Sequence, residues 1–363
     1  MKKVVGFGEI MGRLTPEQFY RFSQSCPGKL DMTFGGAESN VAASIAMLGG
    51  RSSFVTALPR HVIADACIRV LKSLDVDTRH IVRANEGRLG LYFIETGANQ
   101  RPSNVVYDRS GSSVSLTPGD AYAWDEIFSD AGWLHVSGIT PALSHCSAEA
   151  VMTAAAKAKA VGLTVSCDLN FRKKLWQWDP SCRPRELAEK TMRNILKHVD
   201  VVIGNEEDAS DVLGITAGDT DVESGHLTID KYPDVAAQIA AQFPSVSKVA
   251  ITLRESISAT HNNWGAMLYD VAAKSAVFAP MRDGSYQPYE IRDIVDRVGG
   301  GDSFAAGLIF ALHSGEYPDD GDAIAFAVAA SCLAHSIKGD FNFSTRAEVE
   351  TLMKGSGSGR VVR

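Results

Sequence analysis

The stretch Asp296–Gly307, DRVGGGDSFAAG, constrains this chain more than any other. Gly299, Gly300 and Gly301 stand directly before Asp302, and Phe304, Leu308 and Leu312 follow at four-residue spacing, which predicts one apolar face of a helix. Glycines at a helix start let the backbone come close to an anion. The first N–H groups and the helix dipole then supply the positive end. A polyphosphate is the implied guest. A carboxylate beside an anion site needs a reason, because like charges repel. Two readings of Asp302 stand. It caps the helix, or it is a general base that takes a proton from an attacking hydroxyl while the glycine N–H groups hold charge on a transferred phosphoryl group.

With 363 residues and 45% hydrophobic content, the chain can bury one large core or two smaller ones. A formal charge of -7 argues against a nucleic-acid partner, which calls for a basic surface. Cys26, Cys67, Cys146, Cys167, Cys182 and Cys332 form no CxxC pair, and the nine histidines form no HExxH pattern. Free thiols in a reducing compartment are expected, with no metal site built from these residues. Met1-Lys2-Lys3 runs straight into Val4–Gly8, too short for a signal peptide, and no run of 18 apolar residues occurs, so the expectation is a cytoplasmic chain with no membrane span. Residues 355–363 read as a flexible tail after one domain over residues 1–354.

Taken in order, Lys3–Gly8 reads as a buried first strand. Its GxGxxxG spacing is not the dinucleotide fingerprint, and Thr15-Pro16-Glu17-Gln18 does not continue as the required helix. Gly35-Gly36 opens a helix with Val41, Ile45 and Leu48 on one face, closed by Gly49-Gly50. With Glu38 and Asn40 in its first turns, this start reads either as a pocket wall or as a tight turn with polar caps. Ser53–Leu58 is a second strand and Val62–Leu74 a helix. Arg88–Glu95 and Asn104–Tyr107 then form a hairpin around a polar connection, carrying Tyr92, Tyr107 and Arg109. From Trp133 onward strands (Trp133–Ser137, Leu163–Asn170, Val199–Gly204, Lys248–Leu253) alternate with helices (Ala148–Val161, Arg185–Leu196, Glu206–Leu213, Val235–Gln242). That alternation predicts a mostly parallel sheet covered by helices on both faces, with the site at the carboxyl ends of its strands. The polar clusters Asp168–Arg172, Asn205–Asp208 and Thr252–Arg254 fall at such ends. Ile324–Ile337 reads as a core helix.

Together these motifs resemble the ribokinase-like (PfkB) family of carbohydrate kinases. Gly35-Gly36 with Asn40 matches the family's N-terminal GG motif, and Asp296–Asp302 matches its DTxGxGD motif. Within it, GGAESNVA (Gly35–Ala42), YDRSGS (Tyr107–Ser112), DLNFRKKLW (Asp168–Trp176) and KGDFN (Lys338–Asn342) look like the 2-keto-3-deoxygluconate kinase branch. The resemblance implies a three-layer α/β/α fold with a mostly parallel central sheet and a small β lid from segments about 13–34 and 87–112. It implies a homodimer formed through that lid.

It also implies phosphoryl transfer from ATP to a sugar acid, with Mg²⁺ and a candidate monovalent cation such as K⁺. Asp302 is then the base, and Gly299–Gly301 are the anion hole. Gly35, Gly36, Asn40, Tyr92, Tyr107 and Asn170 hold the sugar. Arg109 and Arg172 suit its carboxylate, because a guanidinium fork binds one bidentately; the other reading pairs each arginine with a neighbouring Asp or Glu. Asn205, Thr252, Arg254, Gly299, Gly301 and Asn342 fall at nucleotide positions. Asp208, where the family's NxxE motif has glutamate, is placed to reach the metal through water. Arg254 departs from the glycine of the family's TLG triplet. The alternatives are a kinase for fructose, ribose, a nucleoside or 2-keto-3-deoxygalactonate, or a sugar-acid-binding regulator without chemistry.

Overall fold

The computed structural model of the chain describes residues 1–205, 207–216 and 229–355. Its strands are β1 (Lys3–Phe7), β2 (Met11–Thr15), β3 (Asp31–Gly35), β4 (Ser52–Val55), β5 (Ala57–Pro59), β6 (Val82–Ala84), β7 (Leu91–Glu95), β8 (Asn104–Asp108), β9 (Ala131–Ser137), β10 (Thr164–Asp168), β11 (Val201–Asn205), β12 (Lys248–Ser258), β13 (His261–Asp270) and β14 (Ser275–Ala279). A nine-stranded main sheet runs β14-β13-β12-β11-β10-β9-β1-β4, with Tyr289–Ile291 pairing β13. From β4 across to β12 every pairing is parallel, and β12 to β14 continue antiparallel.

Side chains that alternate across the pleat divide the core into two layers. Val5, Phe7, Leu134, Val136, Val202 and Val249 pack with residues of the helices His145–Ala160, Pro184–Leu196 and Tyr232–Gln242. Val4, Trp133, Val201, Ile203 and Ala250 face the other way, toward the helices Ala37–Met47, Gly300–Ser314 and Asp320–Ala334. This is the expected arrangement of helices on both faces of a mostly parallel sheet. Burial on both faces explains why these strands read as near-continuous apolar runs.

A separate four-stranded sheet, ordered β3-β2-β7-β8, stands over the main sheet's carboxyl edge. The hairpin β7–β8 is where the alternating pattern puts it, while β2 and β3 lie in the polar stretch that sequence pattern leaves unassigned. The expected strand Ser53–Leu58 is divided. β4 stays in the main sheet, and β5 leaves it to pair with β6, because the Thr56 carbonyl accepts from Val82 N (2.9 Å). Of the expected tail only Gly355 lies within the described residues, and Glu206, the expected first residue of its helix, lies outside them. Among the described residues no helix is long and apolar enough to cross a membrane.

The helices Gly300–Ser314 and Asp320–Ala334 pack backbone to backbone at Gly307, where an added Cβ would lie 2.9 Å from Ala327 Cα. Gly307→Val is therefore expected to cost about 1–3 kcal/mol by overpacking. The measurement is the urea midpoint at unchanged m; an unshifted midpoint would show that the helices separate without cost.

Candidate active site

A cleft of about 380 Å³ opens between the two sheets, over the carboxyl ends of β1, β10, β11 and β12. Its floor is the start of the Gly300–Ser314 helix. Gly299 sits before that helix with φ 81°, in the left-handed region, and a Cβ there would lie 2.3 Å from the Asp340 carbonyl oxygen. Glycine is required on both counts. Gly300 rests on the His335 ring, and its carbonyl accepts from Ser331 Oγ (2.7 Å). Gly301 lines the cleft and is exposed, with nothing within 4 Å of an added Cβ.

Asp302 lies in the first turn but makes no capping bond. Its Oδ2 instead accepts from Asn40 Nδ2 at 2.6 Å, and Asn40 Oδ1 in turn accepts from Gly36 N at 3.2 Å. The helix starts at Gly36 and Gly300 are thereby joined through one amide and one carboxylate. Enclosure by protein pushes the Asp302 carboxyl up to about 7; the Asn40 bond opposes this, Asp340 and Glu38 add to it, and Arg172 opposes it. A carboxyl with that pKa is suited to accepting a proton near neutral pH.

The next strands deliver more acid. Asp168, at the end of β10, is raised well above the usual carboxylate range by burial and then by the charges of Asp208 and Asp302. Asp208 is also raised, chiefly by burial, and its two oxygens accept from Phe171 N (2.9 Å) and Asn205 N (3.0 Å). Asn205 Oδ1 accepts from the amides of Glu207 and Asp208, so its side chain holds this turn. Arg172 is exposed at the cleft, donates to the Phe171 carbonyl (3.0 Å), and its charge favours ionisation of Asp168, Asp208 and Asp302. Among the described residues no three His, Cys, Asp or Glu side chains are grouped to bind a metal directly. Crowded carboxylates at Asp168 and Asp208 nevertheless fit a divalent cation held through water, which would relieve their repulsion.

On the small-sheet side, Tyr92, Tyr107 and Arg109 line the cleft as the hairpin predicts. Arg109 is buried and paired with Glu9, its Nε donating to Oε2 at 2.6 Å, so for this arginine the neighbouring-carboxylate reading describes the geometry. Arg172 is instead exposed at the cleft, with its hydrogen bond to the Phe171 carbonyl. Tyr92 donates to Asp340 (2.6 Å). Asn170 (φ 37°), Thr252 and Arg254 also line the cleft. Two predicted residues do not. Gly35 lies behind it, where a Cβ would be 2.0 Å from Asp340 Oδ2, so its glycine serves packing. Asn342 is buried with its amide spent on Ala330 O (3.1 Å) and Ser344 N (2.9 Å). Glu9, Arg13, Trp264, His335 and Asp340 were not singled out by sequence. Asp340 alone carries a signal, lying inside KGDFN two residues before Asn342.

The sequence profile of the pfkB family carbohydrate kinases matches residues 1–345. A 2-dehydro-3-deoxygalactonokinase of Haloferax volcanii is 30% identical over 357 residues, covering 98% of each chain. The crystal structure of 2-dehydro-3-deoxygluconokinase from Thermotoga maritima is 41% identical with a TM-score of 0.87, covering 98% of this chain and all of its own. At 21% identity and a TM-score of 0.74, a Xylella fastidiosa fructokinase with bound ATP shares the fold over 98% of this chain and 99% of its own.

Because the Asn40 bond favours the ionised form, Asn40→Ala is expected to raise the Asp302 titration midpoint above its value of about 7. Carboxyl-carbon NMR of aspartate-labelled protein follows it, and a midpoint at or below the wild-type value would contradict the assignment.

Proposed function

The chain belongs to the pfkB family of carbohydrate kinases, and we propose that it transfers the γ-phosphoryl group of ATP to the 6-hydroxyl of 2-keto-3-deoxygluconate. The product is 2-keto-3-deoxy-6-phosphogluconate. The observation that carries this reading is Asp302, a carboxyl at about 7 facing the cleft beside a glycine helix start. Asp302 takes the hydroxyl proton as the new O–P bond forms. The bond to the bridging oxygen breaks, and ADP leaves with that electron pair. The amides of Gly299, Gly300 and Gly301 hold the charge on the phosphoryl oxygens.

Gly36, Asn40, Tyr92, Tyr107 and Asn170 face the sugar's hydroxyl and keto groups. Arg172 takes the carboxylate bidentately, with the remaining N–H groups of Arg109 beside it. Asn205, Thr252 and Arg254 face the nucleotide. Asp208, with Asp168 beside it, would hold Mg²⁺ through water, and the bound ion would supply charge neutralisation on the phosphates. The C4 epimer 2-keto-3-deoxygalactonate is the second reading, since the Haloferax relative takes its name from that substrate. A regulator without chemistry is disfavoured by the base and anion hole standing together.

The test is ADP release from Mg-ATP with 2-keto-3-deoxygluconate, its epimer, fructose, ribose and adenosine, with K⁺ present and replaced by choline. Turnover is expected on the sugar acid. Asp302→Asn should lower it by about 10²–10⁴, and Arg172→Ala should raise KM for the acid far more than for any neutral sugar. Turnover on neutral sugars alone would reassign Arg172. An Asp302→Asn variant near wild-type rate would remove the base.

We also propose that two chains pair through the outer face of the small sheet. Met32 is 42% exposed and Val106 51%, with Phe19 and Tyr20 exposed nearby in sequence, an apolar set that a second copy would cover. Solution mass should be twice the chain's 38.9 kDa, and Val106→Lys should halve it. A wild-type mass of one chain overturns the pairing.

A further inference from the structure

Arg13 joins the two halves of the cleft. It stands on β2 of the small sheet and is 1% exposed. One terminal nitrogen donates to Asp340 Oδ1 at 2.9 Å, the other to Asp296 Oδ2 at 2.5 Å. These carboxylates belong to the main body. Asp296 also accepts from Val298 N and Gly339 N, both at 3.1 Å, and so shapes the turn leading into Gly299. Asp340 accepts the Tyr92 hydroxyl through both oxygens, at 2.6 and 2.7 Å, and its backbone carbonyl is the atom against which Gly299 packs. Tyr92 lines the cleft from β7, the strand that pairs with β2.

A continuous chain of buried polar bonds therefore runs from Tyr92 through Asp340, Arg13 and Asp296 to the anion-hole turn. Arg13 is its one cation. A planar fork can engage two carboxylates at fixed angles, whereas an ammonium on a flexible stem cannot hold both in one geometry. A sugar that engages Tyr92 would draw on Asp340, and through Arg13 on Asp296 and the backbone of the glycine turn. The same bonds act in reverse when phosphate fixes the turn, because coupling between two sites is reciprocal.

We propose that Arg13 is a positioning residue that couples occupancy of the sugar side of the cleft to nucleotide affinity at the Gly299–Gly301 turn. The inference rests on the sugar-kinase reading above. Each ligand then binds more tightly when the other is present, and the gain depends on the guanidinium bridge.

The experiment is calorimetric titration of Mg-ADP with and without saturating sugar, using whichever compound of the panel turns over, for wild type, Arg13→Lys and Tyr92→Phe. In wild type the sugar should tighten ADP binding by about 5–150-fold, the usual span of such couplings. Arg13→Lys keeps the charge and Tyr92→Phe keeps the ring; in both, the ratio of ADP affinities with and without sugar should fall toward one. A merely structural role for Arg13 would lower the melting temperature and weaken both ligands but leave that ratio intact, and this overturns the proposal. A wild type that binds sugar and ADP independently overturns it as well. If Arg13→Lys does not fold, Tyr92→Phe decides alone: an unchanged ratio overturns the coupling. Failure of the function reading shows separately, as absence of turnover on every compound while ADP and a sugar still bind, and the ratio is then read with the sugar that binds.

Discussion

Arg13 held between Asp296 and Asp340 is the interaction on which the geometry of the cleft depends. Burying three ionisable groups together is unfavourable unless each finds a partner, because desolvation of a charge costs several kcal/mol. Burial works against the Arg13 charge, but Asp296, then Tyr92 and Asp340, more than offset it and hold its pKa above the ordinary guanidinium value. Burial likewise raises the Asp340 carboxyl, with Arg13 and the Tyr92 hydroxyl opposing. Every oxygen of the two carboxylates has a donor. Such a cluster tolerates one arrangement, and deleting one partner leaves a buried charge at a cost of about 3–5 kcal/mol. The small sheet is thereby fixed at one distance from the glycine turn.

The second constraint is the direction of the parallel strands. Because β10 and β11 run side by side in the same sense, Asp168 and the turn carrying Asp208 arrive at the same edge. The Gly300 helix brings Asp302 to meet them. Burial first, then the charges of Asp340 and Glu38, bring Asp302 to about 7, and the charges of Asp208 and Asp302 add to the burial that raises Asp168. The same crowding creates demand for positive charge, met from the protein by Arg172 and the helix start. One electrostatic fact thus suits both the proposed base, which needs a raised pKa, and the proposed phosphate site, which needs cations.

How much of this was readable depended on the range of the interaction. The glycine helix, the Gly36 helix and the strands from β9 to β12 were legible because periodicity and glycine placement act within a few residues. Asp302 and Asn40 were both picked out, yet the bond between them spans 262 positions and no spacing rule reports it. Arg13 gave no signal, since its partners lie 283 and 327 residues away. Glu9 was equally silent, and its pairing with Arg109 changes what that arginine can offer. Gly35 and Asn342 were chosen with their motifs, but a motif marks a neighbourhood and not which member points into the cleft. The family resemblance placed a β lid over about 13–34, but residue pattern did not mark β2 and β3 as strands, because a small sheet with one open face has a mixed apolar and polar composition.

By itself, the sequence determined the layered α/β architecture, the glycine helix start, the acid beside it and the polar clusters at strand ends. These follow from backbone conformation and from local burial patterns, which neighbouring residues dictate. Only the tertiary structure decided that Asp302 serves Asn40 and not its own helix, that Arg109 is already paired while Arg172 faces the cleft, and that Arg13 ties lid to floor. Those outcomes turn on which charges meet once water is excluded, and that is settled when segments hundreds of residues apart are packed against one another.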